Sequence, residues 1–135
     1  MKVKDSYNVN VVAQMAGVAA LNDTEHFRSC VARIRKNREW LTQALTGMGF
    51  RIPPSRTNFV LAQWTGTPTA REIFEALRAR AIIVRYFDAP RLRDAMRITV
   101  GNEREIEALI DALRAILSGE VTPPPAADQE AGIRN

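Results

Sequence analysis

Arg85 and Arg97 are the residues of this chain whose setting most demands chemistry. Each interrupts an apolar, strand-forming run: IIVRYF at 82–87 and MRITV at 96–100. A guanidinium keeps its charge in any protein environment, and burying it unpaired costs several kcal/mol. Side chains alternate along a strand. Met96, Ile98 and Val100 therefore share one face and Arg97 and Thr99 the other, while Ile83, Arg85 and Phe87 oppose Val84 and Tyr86. If the two strands are neighbours, two permanent cations face a common space, with Arg91 and Arg93 in the linker between them. Such a pair suits a small molecule with two anionic groups, each held by a bidentate hydrogen bond. The alternative is internal neutralisation by Asp88 or Asp94, or an edge position where the guanidinium reaches water.

The other reactive side chains point to less. Cys30 is the only cysteine, which excludes an internal disulfide and fits a reducing compartment. It falls in a helical pattern and reads as a packed thiol without a nearby His or Lys to activate it. His26 is the only histidine, so no His-cluster metal site can form, and no nucleophile matches it for a Ser–His–Asp arrangement. The carboxylates have no metal-ligand spacing. The net charge of +4 comes from 16 Arg and 3 Lys against 15 acids. These arginines do not form blocks interleaved with aromatic residues, so a nucleic-acid platform is not indicated. One local exception is residues 78–97, with six Arg and two Asp.

The elements that must position the arginines follow from pattern. At 135 residues the chain is one domain's worth. Its 46% apolar content is normal for a globular protein, and such a domain buries roughly two thirds of its surface. No apolar run approaches the ~20 residues of a membrane span, and no apolar signal core follows Lys2 and Lys4; a cytoplasmic setting is expected. VVAQMAGVAAL (11–21) predicts a short helix capped by Asn10, with a small-residue face of Ala13, Ala16, Gly17 and Ala20. Asp23 opens a long amphipathic helix carrying Phe27, Val31, Ile34, Leu41, Leu45 and Met48, interrupted by Arg38, on the order of 35 Å long. Gly47 or Gly49 ends it. FRIPPS predicts a brief strand stopped by Pro53 and Pro54, and NFVLAQW (58–64) a firm one. Thr67 and Pro68 read as cap and first turn of a helix over TAREIFEALRARA, with Ile73, Phe74 and Leu77 inward. After the strands of Arg85 and Arg97, Asn102 caps a last helix with Ile106, Leu109, Ile110, Leu113 and Leu117 inward, closed by Gly119.

The order α–α–β–β–α–β–β–α is not a strict alternation. The strands near 50 and 60, and those near 84 and 98, can pair as antiparallel neighbours. The expected fold class is α+β, a two-layer sandwich of a small, mainly antiparallel sheet with helices on one face. Residues 1–10 read as a lead-in, 11–118 as the domain, and 119–135, Pro-rich and without apolar period, as a disordered tail.

Five stretches in order, KDSYNVNVVAQMAGVAAL, NREWLTQAL with MGF, PSRTNFVLAQW, AIIVRYF and MRITVGNEREIEALIDAL, resemble the C-terminal part of histidinol-phosphate aminotransferases. These belong to the fold type I superfamily that uses pyridoxal phosphate. The resemblance covers residues 2 to 118; single segments are weakly specific, and the set of five is much more so. It implies that Arg97 clamps a substrate α-carboxylate, which for histidinol phosphate belongs to the glutamate/2-oxoglutarate half of the cycle. It implies that Arg85 helps hold the distal phosphate, and that Asn58 and Tyr7 lie close to the site. For Asn58 a turn or indirect hydrogen bond, and for Tyr7 packing at a domain hinge, remain alternatives.

The same resemblance implies what is lacking. The chemistry needs a Schiff-base lysine and a pyridoxal phosphate pocket, both in a large domain that precedes these residues in the family. Lys2, Lys4 and Lys36 do not stand in its lysine motif, and Lys36 reads as part of a solvated face. The expectation is a small C-terminal domain, inactive alone, with no catalytic residue of its own and no cofactor bound to this chain alone. Its partners would be an anionic small molecule, a large domain and a second copy, with no nucleic acid and no membrane. Two alternatives remain: a domain of an aromatic amino acid aminotransferase, and a non-catalytic module that binds or oligomerises.

Overall fold

The structure, a computed structural model, describes residues 9–119. The lead-in through Asn8, with Tyr7, and the tail beyond Gly119 lie outside the described residues. Among the described residues four helices, α1 (Val11–Asn22), α2 (Thr24–Gly47), α3 (Ala70–Ala79) and α4 (Glu103–Ser118), accompany three strands, β1 (Phe59–Gln63), β2 (Arg85–Tyr86) and β3 (Ala95–Thr99). The strands form an antiparallel sheet in the order β1-β3-β2. This is the two-layer α+β arrangement expected from the sequence.

One face of the sheet is the floor of the core. Val60 and Ala62 of β1, with Met96, Ile98 and then Val100 of β3, pack against Leu41 and Leu45 of α2, Ile73 and Leu77 of α3, and Ile106, Leu109, Ile110 and Leu113 of α4. Burying side chains of this kind contributes roughly 1.5–3 kcal/mol each, so this face fixes the strand register. A slip of one residue would turn Arg97 inward.

The helix boundaries have local causes. Asn10 accepts from the Ala13 amide at 2.8 Å to start α1. Asp23 ends α1 with its own amide on Ala19 O and starts α2 by accepting from His26 N. Gly49, at φ 96°, turns the chain after α2, and Gly119, at φ 76°, caps α4. Asn102 and Glu105 form a reciprocal capping box at the start of α4.

Several expectations need correction. The N-cap of α3 is Thr69 and not Thr67: Thr69 and Glu72 make a complete capping box, while the Thr67–Pro68 peptide is cis and lies ahead of the helix. A capping box satisfies two free amides at once, which outweighs the pairing of a threonine with a following proline. FRIPPS contributes only an isolated bridge between Arg51 and Gln63. The 82–87 run shortens to Arg85–Tyr86, because Ala81 takes a left-handed conformation (φ 59°) and the chain reaches β3 only after that turn. Phe27 is 64% exposed. Helix α2, with 24 residues, is about 36 Å long, whereas a five-residue strand spans only ~17 Å; its first turns project beyond the core. Helix α1 buries none of its residues, and Val11, Val12, Met15, Val18 and Leu21 are 60–80% exposed.

Candidate functional site

On the sheet face opposite the helices, Arg85 of β2 stands directly across from Arg97 of β3. Leu61 of β1 completes the row. Alternation and the buried inner face together dictate this: with Met96 and Ile98 inward, Arg97 points outward, and the antiparallel register brings Arg85 beside it. Both arginines are exposed. Among the described residues neither forms an ion pair, and the acids offered as internal partners are otherwise disposed. Asp88 meets Arg71 at 3.8 Å and Arg93 at 3.9 Å, and Asp94 makes no ion pair among the described residues.

Each guanidinium instead lies over an aromatic ring. Arg97 Cζ is 5.4 Å from the Phe59 centroid and Arg85 Cζ is 5.2 Å from that of Phe87. Phe59 is paired with Thr99, beyond Arg97 along β3, whereas Phe87 follows Tyr86, which is paired with Met96. The two cations therefore lean toward opposite ends of the sheet. A ring covers the planar face of a guanidinium and leaves its in-plane N–H donors free. Those donors are what a carboxylate or phosphate uses. Sequence reasoning placed both arginines but not their rings; the signal was Phe87 two residues after Arg85, on the same strand face.

The remaining candidates are distributed differently. Asn58 stands at the end of the β1–β3 ladder, where its carbonyl accepts from Val100 N at 2.8 Å. It is exposed and lies past the Phe59–Thr99 pair from the arginine row. Tyr7 lies outside the described residues. Cys30 is not without a histidine: the four-residue spacing on α2 brings His26 Nε2 to 3.3 Å of its Sγ, and Arg33 Nη2 donates to the same sulfur at 3.4 Å. No carboxylate hydrogen-bonds this imidazole among the described residues, so the contact is a flank of the projecting half of α2 and not a triad. Lys36 bridges α2 to α4 through Glu103 at 2.9 Å. The Lys36 hydrogen bond, then its charge, holds the Glu103 carboxyl below its ordinary value of 4.5. Among the described residues no group of three or more metal-ligating side chains occurs, and no helix is long and apolar enough to cross a membrane.

A small antiparallel sheet with helices on one face and paired, ring-backed arginines on the other defines a two-layer α+β domain. The Aminotransferase class I and II family matches residues 1–113, and the chain belongs to that family. It is 42% identical over 118 residues to a histidinol-phosphate aminotransferase of Roseiflexus castenholzii, covering 85% of this chain and 32% of that protein. Another from Citrifermentans bemidjiense is 38% identical over 118 residues, covering 87% and 33%. The crystal structure of the histidinol-phosphate aminotransferase from Clostridium acetobutylicum superposes with a TM-score of 0.77 at 22% identity, covering 86% of this chain and 36% of that one. The chain thus spans about a third of the length of the curated relatives it matches.

Proposed function

We propose that this chain is the substrate-gripping part of a histidinol-phosphate aminotransferase, which moves an amino group between histidinol phosphate and 2-oxoglutarate. The observation that carries the reading is the Arg85–Arg97 register pair on the bare sheet face, unpaired with acid among the described residues. Arg97 clamps the carboxylate of the glutamate/2-oxoglutarate half-reaction, and Arg85 holds the phosphate of the other substrate. The spread of the two guanidinium groups toward Phe59 and Phe87 suits ligands whose anionic groups are separated by a carbon skeleton.

In enzymes of this class pyridoxal phosphate, held by a lysine as a Schiff base, supplies the electron sink for amino transfer. The side chains described here do not fit that cofactor. Their one lysine, Lys36, is engaged by Glu103 in the helical layer, on the side of the sheet away from the arginines. The role of this chain is binding and orientation, and the bare apolar helix α1 supports its being one part of a larger assembly.

Titration of the ¹⁵N-labelled chain with histidinol phosphate, histidinol and 2-oxoglutarate tests the reading. The amides around Arg85 and Arg97 should shift with both anionic ligands and not with histidinol. Arg85→Ala should remove the preference for the phosphorylated ligand while keeping 2-oxoglutarate binding, and Arg97→Ala should do the reverse. On an open face each loss is about tenfold, less than the ~2–5 kcal/mol of an enclosed charge pair. Equal effects of both variants on both ligands would rule out the assigned roles. A second reading, a non-catalytic module that self-associates, is favoured by α1 alone; sedimentation of a monomer at high concentration would remove it.

A further inference from the structure

The ladder between β2 and β3 stops at the arginines. Arg85 opposite Arg97 is its last pair on that side, although the chain before Arg85 is Ile82–Ile83–Val84, a run of strand-forming residues. Continued by two residues, the same antiparallel register would set Ile83 opposite Thr99. Val100 N donates to Asn58 O at 2.8 Å. Met96, Ile98 and Val100 therefore turn their backbone groups to β1, and Arg97 and Thr99 turn theirs toward β2. Among the described residues no backbone hydrogen bond joins Ile83 to Thr99. In its place lies a hollow of about 410 Å³, bounded by Ile83 and Val84 on one side, Ile98 and Thr99 on the other, and Ile106 and Leu109 of α4.

The segment already has the habit of a strand. Half-buried Ile82 and Val84 alternate with exposed Ala81, Ile83 and Arg85. Its start is fixed, because Ala81 in the left-handed conformation lets Ile82 N donate to Leu77 O at 3.0 Å, the closing bond of α3. Ile83 is 79% exposed, and the Thr99 edge beside it is bare. Both would be covered if the segment swung onto β3. Charge opposes that movement. Like charges directly opposite each other disfavour strand pairing, and Arg85 faces Arg97 at the very end of the ladder. Neither has an acidic partner among the described residues, and their guanidinium groups lean apart onto Phe87 and Phe59.

We propose that residues 82–84 are a strap that closes when an anionic group occupies the arginine pair. The anion cancels the repulsion across the last pair of the ladder, and β2 then lengthens by Val84 and Ile83. Ile83 exchanges backbone hydrogen bonds with Thr99, while Ile82 and Val84 fill the hollow against Ile106 and Leu109. The trigger rests on the anion-binding role proposed above; the strap itself rests on the register, the hollow and the exposure of Ile83. A ligand that cancels this repulsion in the closed form shifts the population toward it, so Arg85 is held firmly only while its site is filled.

Amide exchange with water in the full ¹⁵N-labelled chain, with and without 2-oxoglutarate at matched ionic strength, tests this. The Thr99 amide has an acceptor, Ile83 O, only in the closed form. Its exchange should slow by about fivefold at saturation, the ratio corresponding to removal of a like-charge pair from a sheet. The Val100 amide, bonded to Asn58 O in both forms, should not change. Arg85→Gln removes the repulsion without any ligand, and should slow Thr99 exchange by a similar factor in the free chain. A 2-oxoglutarate shift at the Arg97 amide without protection of Thr99 would overturn the strap and leave the binding role intact. Unchanged Thr99 exchange in Arg85→Gln would overturn the strap as well. If 2-oxoglutarate moved no amide at all, the binding role would fail and the trigger with it.

Discussion

Replacing Gly101, the residue between β3 and the cap of α4, should reveal a steric dependence on one carboxylate. The Glu105 side chain folds back so that Oε2 accepts from Asn102 N at 2.7 Å, while Asn102 Oδ1 accepts from Glu105 N at 3.0 Å. A β-carbon on residue 101 would lie 2.5 Å from that Oε2 and 2.9 Å from Glu105 Cβ. Gly101 is not among the residues in the left-handed region, so its backbone accepts alanine and only the side chain objects. In Gly101→Ala the carboxylate must leave, and the chain loses about 1 kcal/mol, the usual cost of disrupting a helix N-terminus. In a Glu105→Gly background both obstructing atoms, Oε2 and Cβ, are gone. There Gly101→Ala should stabilise by about 0.4–1 kcal/mol, because alanine restricts the unfolded chain. The cycle of four proteins thus predicts a coupling of about 1.5–2 kcal/mol with a change of sign, well outside the ~0.3–0.5 kcal/mol scatter of independent sites. Urea unfolding followed by Trp40 and Trp64 fluorescence measures it. Equal destabilisation by Gly101→Ala in both backgrounds would refute the steric account.

Three further outcomes are expected. Lys36→Met should let the Glu103 carboxyl rise toward its ordinary 4.5, while Glu72, held low first by the Thr69 backbone and then by its side chain, stays put; carboxyl-detected NMR titration reports both. Because the folded values of these acids are lowered, their contribution is present above pH 4.5 and is lost as pH falls through the lowered folded values, so Lys36→Met should reduce acid sensitivity in that window alone. Thr69→Ala should cost about 1 kcal/mol by removing the N-cap of α3, whereas Thr67→Ala should cost little, and thermal denaturation separates the two. Leu113→Ala, at a side chain with 0% exposure, should cost about 2–5 kcal/mol, read as a large drop in the urea midpoint.

Strand alternation made the arginines legible before any coordinates. Once Met96 and Ile98 must face a core, Arg97 has only one direction, and the same logic holds for Arg85. Helix α4 was equally legible, since its cap, apolar stripe and closing glycine all agree. At the start of α3 two signals compete in the sequence, Thr67 with Pro68 and Thr69 with Glu72 three residues on, and the second prevails because it satisfies two amides. The projecting half of α2 was not readable from its own periodicity, which repeats regardless of whether a sheet lies beneath it. The meeting of His26 with Cys30 was available in principle, as residues four apart on a helix are neighbours. The rings beneath the guanidinium groups depend on which strands pair; β1 beside β3 joins residues more than thirty positions apart, and no local pattern announces that.

The two arginines are held with unequal firmness. Arg97 belongs to the middle strand, laced to a neighbour on either side, and Ile98 anchors it from beneath at 2% exposure. Arg85 rides on a two-residue border strand preceded by Ile83, which is 79% exposed. Amide exchange should accordingly be slow at position 97 and fast at position 85. Under the function proposed above, Arg97 would serve as the fixed point of reference and Arg85 as the adjustable arm, and substitutions along 82–87 would retune which far group is welcomed without disturbing the centre.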